Sequence, residues 1–475
     1  STKEGVAGSI KGRPESFGIA SSEITSTDVE ELNDAFEKAF DFVRTNRKPF
    51  CQIVHFYRLG PHSKSDDDRN PAEIAEAKKK DPLSLLEAKL DAEKVIEIKK
   101  IVDNEIEEAT EFASNEKFDN DANMFEELCK IEQTKESLLN FEKKRCLDGL
   151  KKGLDMAMRD MPEVILLGED VRDPYGGAFK VTKGLTAKYD KRIINTPISE
   201  AGFIGLSVGM GMNGIKPVSE MMFGDFITLG FDQLLNHATK YNWMYAGNVD
   251  VPMLIRIPSG GGRGYGATHS QSLEKYLIGI PNLRVIAVSR LIDSEKLVYK
   301  VIRDLKSPTV LIENKKMYGE RLYVTMNGKL DLFSVEESNT EYPTYKLSLC
   351  REETADACII TYGAMIDVAM EVAKKMLIDE EKIIDIIACT SLTPLDTESI
   401  IKYIGKTKNV LLLEEGTERG GWGAEVIAEI STKISGKNYS RVAALNSVIP
   451  CCAELEKRML PDEVKVTDVL RRMKV

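Results

Sequence analysis

A chain of 475 residues, 42% hydrophobic and 30% charged, is long enough for about three globular domains, each with its own core. Its net charge of −11 argues against the basic face that a nucleic-acid partner requires, and apolar runs such as IDIIAC and VLLLEE are far too short to span a bilayer. The eight cysteines (51, 129, 146, 350, 358, 389, 451 and 452) form no CxxC pair, and several sit in apolar runs, so buried reduced thiols in a cytoplasmic setting are expected.

The sequence opens STKEGVAGS, with no Met and no charged-then-apolar leader, and is read as a processed or cut product of something longer. Thr27 and Glu30 have capping-box spacing ahead of a helix with Val29, Leu32, Phe36, Phe40 and Val43 on roughly one face. The run FCQIVHFYR (50–58) reads as a strand, and LGPHSKSDDDRNP (59–71) as a polar loop. From 72 to about 145 the pattern is charged and helical, with no strand signal: surface helices plus a connector.

At about 146 the pattern changes to strands alternating with helices. Helix CLDGLKKGLDMAMRD precedes strand VILLGEDV, helix SEAGFIGLSVGM, strand KPVSEMMF and helix FDQLLNHATKYNWM. Strand VPMLIRIP then enters a glycine-rich loop, and LRVIAV, SEKLVYKVIRDL and TVLIENK continue the alternation. This rhythm predicts a parallel sheet flanked by helices. After residues 324–350, which read as a linker with a small ribbon, a second alternation from DACIITYGA to RVAALNS predicts a smaller α/β domain.

Glycine patterns need sorting before any is assigned to a nucleotide. GMGMNG (209–214) satisfies G-x-G-x-x-G, but a helix precedes it and a strand follows, the reverse of the dinucleotide fingerprint. Gly202, Gly205 and Gly209 instead fall on one helical face and predict a close helix–helix contact. In NTPISEAGFIG (195–205), Pro197 stiffens the approach, Ser199 is the expected N-cap and Glu200 falls in the first turn. A carboxylate there either serves the helix dipole or points at a ligand beyond the carboxyl edge of the sheet. The loop PSGGGRGYGATHSQS (258–272) contains His269, and His62 sits in the 59–71 loop, each in a polar segment after a strand with a serine beside it. His55 and His237 read as packing residues; no zinc-ligand spacing and no G-x-S-x-G elbow are present.

Taken in order, LLGEDV (166–171), TPISEAGFIGLSVG (196–209), FDQLLNHATKY (231–241), THSQS (268–272), IPNLRV (280–285), TPLDTESI (393–400) and LLLEEGTERGGWGAEV (411–426) resemble the β subunit of the thiamine-diphosphate-dependent 2-oxoacid dehydrogenases, of pyruvate or branched-chain type. FYRLGPHSKSDDDR (56–69), followed by DPLSLLEAKL, resembles the active-site loop of the α subunit. The resemblance implies an α/β, transketolase-like fold in five parts. These are the C-terminal part of an α-type diphosphate-binding domain with a helical extension (1–120), a connector (121–145), a β-type pyrimidine-binding domain (146–325), a linker (326–350) and a C-terminal transketolase-like domain (351–475).

The resemblance further implies roles, residue by residue. Glu200 matches the glutamate that bonds the aminopyrimidine ring and makes its exocyclic amine a base. Phe226 matches the aromatic packed on that ring, and His269 the histidine lining the way to substrate. His62 and Ser63 match the α-type histidine and serine near the diphosphate, with Arg58 a phosphate contact. Asp304 marks a potassium site by the same analogy. The family's Gly-Asp-Gly … Asn-Asn stretch, which holds magnesium and diphosphate, has no match here, so Mg2+ ligands are expected outside this chain, on an N-terminal α-type half from the same gene or a separate polypeptide. A homodimer or α2β2-like assembly and a lipoyl-bearing acyltransferase are the implied partners. The implied activity is oxidative decarboxylation of a 2-oxoacid with acyl transfer. The alternatives are a transketolase- or acetoin-type transfer enzyme and a non-catalytic assembly subunit.

Overall fold

The computed structural model describes residues 6–61, 69–116, 129–349 and 354–475. His62 and Ser63 therefore lie outside the described residues. The chain divides into two compact units, Ser1–Ala122 and Asn123–Val475.

In the first unit, β1 (Ala20–Ile24) and β2 (Phe50–Val54) pair in parallel, with Ala20 opposite Phe50 and Ile24 opposite Val54. Their crossover is the helix Val29–Asn46. Its N-cap is Asp28, not Thr27: the Asp28 carboxylate accepts the Glu30 N–H at 3.0 Å, while the Thr27 hydroxyl donates to the Lys80 carbonyl at 2.7 Å. A carboxylate next to the first turn meets both the free N–H groups and the helix dipole, which a hydroxyl does less well. β2 stops at Val54, short of the expected strand end. Its neighbour β1 ends at Ile24, whose carbonyl takes the His55 N–H, and nothing remains to pair beyond it. His55 is not packed inside; its Nε2 meets Glu23 Oε1 across the strands at 2.5 Å. Among the described residues of this unit Ala39 is the one buried hydrophobic side chain, and Val29, Phe36, Phe40 and Val43 are exposed. Helices Pro71–Lys78, Pro82–Glu87 and Ala92–Asn115 follow, each started by an Asn or Asp cap.

The second unit opens with a correction. Residues 129–145, expected to be helical or connecting, run extended across the unit and form bridges from Gln133 to Thr340, Leu139 to Ile292 and Arg145 to Arg321. Leu138 and Asn140 are fully buried there, and the Asn140 amide donates to the carbonyls of Glu142 and Tyr323, both at 2.7 Å. Those tertiary hydrogen bonds override the helical charge pattern.

The first sheet has the order β14-β7-β8-β6-β5-β3-β4. Its strands are β3 (Val164–Gly168), β4 (Ile193–Asn195), β5 (Lys216–Glu220), β6 (Leu254–Ser259), β7 (Arg284–Ala287), β8 (Thr309–Asn314) and β14 (Ser391–Thr393), all parallel except β14. Both faces are covered, so the strands read as continuous apolar runs. Leu166 and Ile286 turn to one core, Leu167 and Ala287 to the other, by the two-residue period of a strand. One cover is the pair of helices Cys146–Asp160 and Ser294–Arg303. They approach so closely that a Cβ on Gly153 would stand 2.6 Å from the Glu295 carbonyl oxygen. The expected helix over 231–244 is broken. Gln233–Ala238 forms a wide turn in which the Thr239 N–H reaches back five residues to the Leu234 carbonyl, and Tyr241–Met244 is a separate short helix.

The second sheet has the order β16-β15-β12-β13-β11-β10-β9. β12 (Ala357–Tyr362), β13 (Ile384–Cys389), β15 (Asn409–Thr417) and β16 (Asn438–Ala444) are parallel; β9 (Lys329–Leu330), β10 (Phe333–Glu337) and β11 (Thr344–Ser348) add an antiparallel edge. The small ribbon expected in the linker thus consists of three strands, joined to the second sheet as its edge. No helix among the described residues is long and apolar enough to cross a membrane.

Candidate active site

Four neighbouring parallel strands, in the order β4-β3-β5-β6, end at one sheet edge, and the segments leaving them hold the candidate side chains. Glu169 follows β3, Glu200 opens the helix after β4, Phe223 and Phe226 follow β5, and the glycine loop with His269 follows β6. Open parallel sheets bind ligands at this carboxyl edge, because the side chains and helix N-termini of successive crossovers converge there.

Glu200 is the first residue of the helix Glu200–Met212 and is 6% exposed. Glu169, equally buried, has one carboxylate oxygen with no hydrogen-bond partner. Burial, and next the negative charge of Glu200, push its carboxyl above the ordinary range, with the Ser199 N–H pulling the other way. Like charges at a dry edge repel, which is why the Glu200 charge raises the Glu169 carboxyl. Sequence reasoning quoted LLGEDV yet assigned Glu169 no role; its signal was an acidic residue ending a fully apolar strand.

The short helix Gly224–Gly230 brings Phe226 to this edge. It lies so near the Glu200 helix that a Cβ on Gly230 would stand 2.9 Å from Ile204 Cγ1 and 3.5 Å from the Glu200 carbonyl oxygen. The Phe226 ring meets the His269 imidazole edge-on at 5.2 Å, and Phe223 meets it at 4.6 Å. Asp225, missed from the sequence, ties the two segments together by accepting from the Gln271 N–H at 3.2 Å and the Gln271 amide at 2.9 Å. The half-buried imidazole has Nδ1 at 2.9 Å from the Thr268 hydroxyl. The structure therefore gathers Glu200, Phe226 and His269 around one edge.

Of Gly202, Gly205 and Gly209, only Gly205 faces a neighbouring helical segment: a Cβ there would stand 3.5 Å from Gln233 Cγ, while one on Gly202 would meet only Ser199 and one on Gly209 nothing within 4 Å. His237 is not a packing residue either. Its side chain is 41% exposed, and its Nδ1 lies 2.7 Å from the Tyr241 hydroxyl.

Arg58 belongs to the first unit, where its exposed side chain lines a groove of about 830 Å3 with Thr27, Tyr57 and Glu73 among its walls. Its carbonyl accepts from the Arg69 guanidinium at 2.5 Å. Asp304 is corrected as a cation site. Burial pushes its carboxyl up, but bonds from Arg303 and Lys300 outweigh that and hold it at about 2. The nearby carbonyls of Ile302 and Arg303 already accept the Lys216 ammonium, at 3.2 and 2.8 Å. A carboxylate with two cationic partners, beside an ammonium, offers little to a potassium ion. Among the described residues no group of three or more His, Cys, Asp or Glu is arranged to hold a metal.

Three family descriptions match the chain: "Dehydrogenase E1 component" over residues 2–121, "Transketolase, pyrimidine binding domain" over 143–320 and "Transketolase, C-terminal domain" over 347–466. The β-1 subunit of the pyruvate dehydrogenase E1 component of Arabidopsis thaliana is 34% identical over 331 residues, covering 69% of this chain and 87% of that subunit. The β subunit of acetoin:2,6-dichlorophenolindophenol oxidoreductase of Cupriavidus necator is 29% identical over 337 residues, covering 68% and 95%. A solved structure titled as a split-gene transketolase, inactive β4 tetramer, overlays with a TM-score of 0.52 at 18% identity over 69% of this chain and 97% of that one, which speaks to fold alone.

Fold and site together define a transketolase-like enzyme unit that takes the pyrimidine end of thiamine diphosphate. The chain belongs to the E1 components of the thiamine-diphosphate-dependent 2-oxoacid dehydrogenases, with an α-type part joined to a β-type part.

Proposed function

We propose that this chain carries out the pyruvate-type reaction of its family: oxidative decarboxylation of pyruvate with transfer of the acyl group to a lipoyl-bearing acyltransferase. The observation that carries the reading is the buried pair Glu200 and Glu169 at the sheet edge, with one oxygen of Glu169 unpartnered and the short helix that carries Phe226 packed against the Glu200 helix. A buried orphan acceptor next to an aromatic face fits a polar heteroaromatic ring, because a polar atom left unpaired away from water is costly.

Thiamine diphosphate, when bound, supplies the electron sink for breaking the bond between the carboxylate and carbonyl carbons. The residues of this chain do the rest of the local work. Glu200 would hold and orient the ring through one of its nitrogens, with Glu169, its carboxyl raised by burial and by the Glu200 charge, beside it. Phe226 and Phe223 exclude water, which strengthens those contacts in a low-dielectric site. His269 would line the approach of the oxoacid and place a proton donor there.

The diphosphate and Mg2+ are assigned to α-type polypeptide beyond the described residues, joined to the first unit in an α2β2-like or dimeric assembly. Support comes from that unit's two open-edged strands and the exposed apolar face of the helix Val29–Asn46. A reduced, cytoplasmic setting is proposed from Cys358 and Cys389, buried thiols inside apolar strands. The test is carbon dioxide release by the completed assembly, with an artificial electron acceptor, from pyruvate and from branched-chain oxoacids. Preference for pyruvate supports the reading; turnover of branched-chain substrates alone overturns it. A second reading, an acetoin-cleaving enzyme, is favoured by the match to 95% of the acetoin-type β subunit. Dye reduction with acetoin but not with any 2-oxoacid would select it.

A further inference from the structure

The glycine loop after β6 alternates in backbone hand. Gly260, Gly262, Gly264 and Gly266 have φ of +92°, +80°, +72° and +76°, and the residues between them are not left-handed. Such alternation turns successive N–H groups to one side and makes concavities that bind anions. In nucleotide-binding folds similar loops hold phosphate. Here the protein fills them with its own carboxylates.

The Gly261 N–H donates to Glu415 Oε1 at 2.6 Å; the N–H groups of Gly262 and Gly264 donate to Glu456 Oε1 and Oε2 at 2.7 and 3.0 Å. Both glutamates come from the C-terminal domain, Glu415 from β15 and Glu456 from the helix Ala453–Met459, and Glu456 is only 2% exposed. Neither forms a salt bridge among the described residues; Glu415 Oε2 also accepts from the Asn314 amide at 2.6 Å, while both carboxylate oxygens of Glu456 rest on the loop amides. The base of the loop is closed by the Gly260 N–H donating to the Gln271 carbonyl at 3.2 Å. Between that base and the carboxylate-held tip hangs His269, its N–H on the Gly266 carbonyl and its ring between Phe223 and Phe226.

We propose that Glu456 is a positioning residue for His269: its carboxylate, seated in the amides of Gly262 and Gly264, lets the C-terminal domain set where the imidazole stands. The inference rests on the reading of His269 as a lining residue of the substrate approach. Replacing Glu456 by Gln keeps the size but turns an amide N–H toward one of the two donors, so one bond is lost and the loop shifts. Misplacement on the order of 1 Å costs up to about a hundredfold in rate.

The experiment uses the full chain with histidine labelled at Cε1. The sequence has four histidines, and the ring of His269 alone among the described ones lies against two phenylalanine edges. Its NMR signal therefore carries a ring-current shift, assigned by its disappearance in H269N. E456Q is expected to move that signal toward the position of free histidine while His55 and His237 stay in place, which reports an intact fold. In the completed assembly the same variant should lower kcat/KM for the oxoacid about tenfold or more. G264A, strained by its positive φ, should move the same signal from the other partner of the contact, and it decides the matter if E456Q does not fold. A His269 signal that ignores both substitutions overturns the proposal. If that signal follows Glu456 yet the completed wild-type assembly turns over no 2-oxoacid, the functional reading fails and the carboxylate clamp stands.

Discussion

The two units of this chain solve the problem of apolar surface in opposite ways. The second, Asn123–Val475, buries both faces of its first sheet and turns adjacent strand residues such as Leu166 and Leu167 into different cores. Among its described residues the first, Ser1–Ala122, holds two paired strands and keeps Phe36, Phe40 and Val43 exposed on its crossover helix. The contrast teaches that identical local rules (caps, parallel pairing, crossover helices) cover the apolar surface in one place and leave it exposed in the other.

Several measurements break or sharpen that contrast. The largest effect belongs to the second unit. In the completed assembly Glu200→Gln should lower 2-oxoacid decarboxylation on the order of 10²–10⁴-fold, the usual range for losing a proton-transfer group, with the thermal midpoint little changed. A variant that keeps full turnover would remove Glu200 from the site. Next comes local stability. Hydrogen exchange on the chain alone should show β1 and β2 exchanging faster than β12 and β13 by on the order of a hundredfold, and slowing when α-type polypeptide is added. Equal protection in both units would end the comparison.

Phe226→Ala should weaken thiamine diphosphate binding about tenfold, the scale of one aromatic contact, as read by titration calorimetry on the assembly. Unchanged affinity would place the ring elsewhere. The smallest effect is electrostatic. Burial, together with the charges of Glu415 and Glu414, pushes Glu274 from 4.5 to about 8, against its own N–H and Lys315. Because the folded state keeps a proton that the unfolded state releases, this group is least unfavourable below pH 4.5 and costs stability as pH rises toward 8. Glu274→Gln should therefore raise the thermal midpoint at pH 8 more than at pH 5. The reverse order would show that the buried group is ionised.

Much of the second unit was legible because buried parallel strands announce themselves as apolar runs, and Glu200 because Pro197 and Ser199 mark a helix start. Phe226 and His269 came from resemblance, and the geometry then gave them a shared edge. Residues 129–145 were misread because their conformation is fixed by distant partners, Thr340 and Ile292, that no local pattern reveals. The wide turn after Gln233 escaped for a similar reason: Thr239 competes for a backbone carbonyl without disturbing the hydrophobic spacing. Glu456 carries no sequence signal at all, since its role depends on amides lying 192 and 194 positions away along the chain.

The short strand Ser391–Thr393 crosses from the C-terminal domain to run antiparallel beside Arg284–Ala287, with Ser391 opposite Ile286, while the Trp422 indole donates to the Leu392 carbonyl at 3.3 Å. Such a stitch makes the pyrimidine and C-terminal domains a single mechanical body: neither can hinge away without tearing ladder bonds. Calorimetry of the chain should accordingly melt both sheets of the second unit in one cooperative peak.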